Sequence, residues 1–93
     1  MEKTILEEYV GKRVQITPGQ NDKRGLDYLG RVIRYDGTHM KIRPYVRFDP
    51  KSENLGNKLA DLDLAERGER SESGIDDEIA LHRDEIRFIE PLQ

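Results

Sequence analysis

The sequence predicts a mainly β domain: a short N-terminal helix, then five strands in hairpin succession that build a small bent antiparallel sheet or barrel. A long acidic insertion separates strands three and four. Three observations predict it. Apolar residues recur with period two over most of the chain, turn formers cluster between those runs, and an unambiguous helical period occurs only at the start. With 93 residues, there is room for one core and not for two.

The helix is expected over residues 4–10. Thr4-Ile5-Leu6-Glu7 has Ser/Thr-x-x-Glu spacing, so the Thr4 hydroxyl and the Glu7 carboxylate can satisfy amides of the first turn reciprocally. Ile5, Leu6, Tyr9 and Val10 form one apolar stripe, and Gly11 stands where a left-handed residue can end the helix. A helix this short is unstable alone, so it must dock on something.

Strand one follows as Arg13-Val14-Gln15-Ile16-Thr17, and residues 18–25 are dense in turn formers. Tyr28 to Asp36 reads as strand two, with Gly30 at a bend or bulge. Asp36-Gly37-Thr38 signals a tight turn into strand three, where Met40, Ile42, Val46 and Phe48 alternate with Lys41, Arg43, Tyr45 and Arg47. Pro44 lies inside that run and cannot donate to a ladder, which places it at an edge or a bulge. Residues 51–74 read as an acidic excursion containing one helical turn or an extended hairpin. Leu55, Leu59 and Leu62 have helical spacing, while Leu62 and Leu64 alternate. Strand patterning returns with Ile75, Ile79 and Leu81 and again with Ile86-Arg87-Phe88-Ile89. If these last two strands form exposed edges, they are templates for pairing with a second copy of the chain.

Charge is distributed unevenly. The net charge is −3, yet residues 28–50 hold five basic and two acidic side chains, whereas residues 51–78 hold nine acidic and four basic. The acidic total argues against a general polyanion binder and leaves room for a local basic face. Apolar residues are only 34% of the chain, so folding is expected to be completed by association with other subunits. The absence of cysteine excludes disulfides, thiolate metal sites and a cysteine nucleophile, and two histidines cannot fill a structural zinc site. Asp76-Asp77-Glu78 lacks the spacing of a calcium loop, and no serine is placed beside a histidine as an activated nucleophile. No catalytic residue, metal or cofactor is expected. MEKTILEEYV is acidic and without an apolar run, so it reads as neither a secretory signal nor a membrane span, and a soluble, cytoplasmic protein is expected.

The residues resemble the Sm-like family (LSm and Hfq proteins). The resemblance rests on Leu6…Tyr9-Val10-Gly11-Lys12-Arg13-Val14, then Gly30-x-Val32-x-x-Tyr35-Asp36 and His39-Met40-Lys41-Ile42, then Ile79 to Ile89. It implies an N-terminal helix on a strongly bent five-stranded sheet, an SH3-type small barrel, with strand four of one subunit paired to strand five of the next in a ring. It further implies a single-stranded RNA site where two turns meet. Asp36 matches the family's Asp, His39 the stacking position, Met40 the buried Met, and Lys41 takes the Asn place, where it can meet phosphate. Arg83 matches the Arg of the second motif; alternatively His82 occupies that place. The RNA-binding set implied is therefore Asp36, His39, Lys41, His82 and Arg83. The other reading is a ring or SH3-like barrel used for protein assembly, without nucleic acid.

Overall fold

A computed structural model describes residues 5–19, 25–68 and 78–92. The elements follow in the order 3₁₀ helix Leu6–Tyr9, β1 Arg13–Pro18, β2 Asp27–Tyr35, β3 His39–Phe48, α1 Leu55–Glu66, β4 Ile79–His82, 3₁₀ helix Arg83–Glu85 and β5 Ile86–Pro91. The strands form one antiparallel sheet in the order β4-β3-β2-β1-β5. The sheet does not close, which corrects the barrel expectation: β4 and β5 are its two outer strands. Nor are they a hairpin. Three residues of 3₁₀ helix send the chain from one edge to the other, where β5 pairs with β1.

At the N-terminus the expected helix is a single 3₁₀ turn from which Leu6 is buried and no side chain caps Ile5. Thr4, the proposed cap, lies outside the described residues. Gly11 adopts a positive φ of 87° and donates its N–H to Val32 O at 2.7 Å, which turns the chain into β1.

Register divides the sheet into two faces. Val14, Ile16, Tyr28, Val32, Met40, Ile42 and Leu81 form one buried cluster with Leu6. Leu29, Val46 and Phe48 form a second with Leu62 of α1. The period-two pattern of strand three places Met40, Ile42, Val46 and Phe48 on one side, and the structure corrects this. Val32 pairs with Ile42 and Leu29 with Val46, and residues three apart on β2 point to opposite faces. The inversion occurs at a bulge where Arg43 and Pro44 together oppose Arg31. Gly30 sits beside it because a Cβ there would lie 2.3 Å from Ile42 Cγ2 and 2.6 Å from Pro44 O. A second bulge, at Ile33, returns Tyr35 to the first face, opposite Met40.

The stretch read as a loose excursion holds a twelve-residue helix docked on the sheet, neither one turn nor a hairpin over 55–66. Asn54 caps it, its side chain accepting from Asn57 N at 3.1 Å, and Gly68 follows with φ 76°. Only Leu62 is fully buried and Leu59 partly so, while Leu55 and Leu64 remain exposed. Charges complete the docking. Arg13 and Arg31 are directly opposed across β1 and β2 on the α1 side of the sheet. Arg13 Nη2 lies 3.1 Å from Asp63 Oδ1, and Arg31 Nε donates to Glu66 Oε2. Arg31 also donates to Gly11 O at 2.8 Å, tying the turn before β1 to the same cluster. The remainder of the 51–74 stretch beyond residue 68 lies outside the described residues.

Candidate functional site

Two turns meet at the β4 edge. In the first, Asp36 Oδ1 accepts from His39 N at 2.8 Å, Thr38 N at 2.9 Å and Thr38 Oγ1 at 3.2 Å. The backbone N–H of His39, and then that of Thr38, hold the exposed Asp36 carboxyl at a pKa of about 2. Gly37, with φ 98°, completes the turn, and the Tyr35 hydroxyl donates to its carbonyl at 3.1 Å.

The second turn is the 3₁₀ helix Arg83–Glu85. His82 Nδ1 accepts from Asp84 N at 3.0 Å, and Glu85 Oε1 accepts from His82 N at 2.9 Å. The two bonds form a reciprocal cap. Glu85 O accepts from Gly19 N at 2.6 Å, fastening this turn to the end of β1.

Arg83 joins the turns. Its backbone N–H donates to Thr38 O at 2.7 Å and its Nη1 to Gly37 O at 3.2 Å. His39 and His82 are register partners, with ring centroids 5.1 Å apart and planes at 87°. Four of the five residues expected in the site, Asp36, His39, His82 and Arg83, are thus brought together. Asp36 serves as a positioning group, since Oδ1 is spent on its own turn. Lys41 is two residues further along β3, opposite Ala80, and its Nζ lies 3.5 Å from Glu78 Oε2. Met40, paired with buried Leu81, is fully buried, so His39, Lys41 and His82 share the other side of the sheet.

Two participants escaped the sequence reading. Arg34 is exposed and stands opposite Lys41 only because Ile33 is bulged, an irregularity that no pattern in β2 announces. Glu85 was legible in principle, because His82-Arg83-Asp84-Glu85 has the spacing of a reciprocal cap.

Arg13 and Arg31 lie on the α1 face and are engaged by acidic side chains; Arg31 is held above the usual arginine value by its hydrogen bond to Glu66. Among the described residues no three His, Asp or Glu side chains converge on a common point, and no helix is long and apolar enough to cross a membrane. Asp76 and Asp77 lie outside the described residues. No protein-family model, curated protein or solved structure matches the chain.

Proposed function

We propose that the chain is an Sm-like subunit that pairs β4 of one copy with β5 of the next to form a homo-oligomeric ring, and that the joined turns of each copy bind single-stranded RNA. The observation that carries the reading is the junction of the two turns through Arg83. It presents two imidazoles and a guanidinium at the β4 edge, with the cationic side chains of Lys41 and Arg34 on the two strands behind it. Imidazole and guanidinium planes are platforms for unpaired bases, worth about 1–3 kcal/mol per base, while ammonium groups track phosphates. The assembly half of the proposal is supported by strand order. Both outer strands are antiparallel to their neighbours and have one free side each among the described residues, and Phe88 on β5 is 60% exposed. Head-to-tail pairing of identical subunits closes into a ring when the rotation per subunit permits it. Repetition of the turns around a ring would raise local positive charge above what one chain of net −3 provides.

Native mass measured at micromolar concentration tests the ring, with a small integer multiple of 10.8 kDa expected. A monomer would overturn it. Fluorescent oligo-U and oligo-A at low salt test the RNA reading. Binding is expected for the assembled protein and a loss of tenfold or more for the His39→Ala, Arg83→Ala double variant. An assembled ring that binds neither oligonucleotide would instead be a protein-assembly module, a reading that the pairing of Lys41 with Glu78 favours.

A further inference from the structure

The chain has only two histidines, 43 residues apart in sequence, and no cysteine. The fold places those two imidazoles directly opposite one another on adjacent strands. We infer that His39 and His82 form a two-histidine site for a late first-row divalent metal ion, Cu²⁺, Ni²⁺ or Zn²⁺, with water completing the coordination shell. The inference holds whether or not the chain binds RNA.

The register pairing carries the argument, because it sets both imidazoles within reach of one ion. With metal–nitrogen bonds of about 2.0–2.1 Å and a ring nitrogen about 1.1 Å from its ring centre, two imidazoles on one tetrahedral ion have centroids about 5.2 Å apart. The observed separation is 5.1 Å. The two rings meet edge to face, so a shared ion requires the exposed His39 ring to turn until its in-plane lone pair converges with that of His82, a movement open to side chains on directly opposed strand residues. Imidazole donors suit this class of ion, whereas Mg²⁺ and Ca²⁺ require oxygen ligands.

The surroundings define which nitrogen of His82 takes part. Nδ1 accepts the Asp84 N–H, so in the neutral ring the proton resides on Nε2. When a metal binds Nε2, that proton leaves to solvent and Nδ1 takes one up, so the ring stays neutral overall. Nδ1, once protonated, no longer accepts from Asp84 N, so that capping bond is given up, and the new proton turns instead to Asp84 Oδ2, 3.6 Å away. A carboxylate behind a ligating histidine fixes its orientation and raises its basicity. Asp84 is therefore a positioning residue for the site. The neighbouring cation Arg83 has its guanidinium directed at Gly37 O, and its Nε lies 4.0 Å from Asp84 Oδ1.

The test uses the full chain without an affinity tag, stripped by chelator and titrated with each metal alone. One ion per chain is expected, in the affinity order Cu²⁺ above Ni²⁺ and Zn²⁺, with no response to Mg²⁺ or Ca²⁺. At a hundredfold excess over Kd the melting temperature should rise by on the order of 10 °C, and chelator should reverse the rise. His39 is exposed, so His39→Gln should fold normally and lose at least tenfold in affinity. Asp84→Asn should weaken binding about tenfold or more. In NMR spectra both histidine rings should respond to the same equivalent of metal. Absence of saturable binding, response of one ring alone, or unchanged affinity in His39→Gln would overturn the site. Unchanged affinity in Asp84→Asn would overturn the role given to Asp84.

Discussion

The two faces of the sheet are covered by different means. On the first, seven strand residues from Val14 to Leu81 pack among themselves and need from outside the sheet only a single 3₁₀ turn carrying Leu6. The second has three buried apolar strand residues, Leu29, Val46 and Phe48, and a pair of directly opposed arginines. Like charges in register destabilise a sheet, and buried apolar area on this face is small. α1 supplies both remedies at once, Leu62 for the apolar patch and Asp63 with Glu66 for the arginines. One face is thus built by local alternation, and the other by a helix that arrives with matching charge.

The largest expected effect breaks the second face at its apolar centre. Leu62 and Ile16 are both fully buried, one on each side. Truncation of either to Ala should cost about 2–5 kcal/mol, read from the midpoint and slope of urea unfolding. Equal losses mean that α1 is as integral as the strands. A loss below about 1 kcal/mol for Leu62→Ala, with Ile16→Ala severe, would mean that the helix does not stay docked.

A smaller effect isolates the charges. Glu66→Gln leaves Arg13 facing Arg31 with Asp63 alone as the acidic partner among the described residues, and the groups involved are partly buried, with Arg13 and Glu66 side chains 18% and 19% exposed. The expected cost is about 1–2 kcal/mol, between the values for exposed and buried ion pairs. Adding Arg31→Gln should recover part of it, since the second change removes the opposed cation. If the double variant is no more stable than Glu66→Gln alone, the arginine pair is not what the helix compensates.

The same contrast explains what was legible in the sequence. Strand positions on the first face follow from alternation, and the strands lie within a residue or two of where the residues place them, apart from Ile75 of the fourth, which falls outside the described residues. The second face was not legible, because it depends on events at a distance. The Arg43-Pro44 bulge moves Val46 and Phe48 across the sheet, and the partners of Glu66 lie 35 and 53 positions away in the chain. α1 was obscured because only Leu59 and Leu62 of its four leucines turn inward, and the outward Leu64 mimics strand alternation. The site was legible in its residue types and not in its geometry. Nothing local to His82 indicates that its strand pairs with the strand of His39, and that Arg83 closes one turn on the other follows only from β4 being the neighbour of β3.

The smallest effect belongs to neither face and sharpens the comparison at the edge between them. Asp36 holds the first turn through its carboxylate, whose pKa is lowered from 3.8 to about 2 chiefly by the His39 N–H and next by the Thr38 N–H. A carboxyl whose folded pKa lies below its unfolded one contributes stability above the ordinary carboxylate range, and the contribution disappears as pH falls from about 4 toward 2. The group is exposed, so the readout is local and not global unfolding. The Asp36 carboxyl carbon should titrate with a midpoint near pH 2, and the Thr38 and His39 amide shifts should follow it. Asp36→Asn keeps an acceptor at Oδ1 and should abolish this pH dependence while preserving the turn. Because Arg83 docks on Thr38 O and Gly37 O, its amide should move with the same midpoint in the native protein and stay still in the variant. A midpoint near 4, or an Arg83 amide indifferent to Asp36, would mean that the two turns are neighbours held apart by their own strands and not one joined unit.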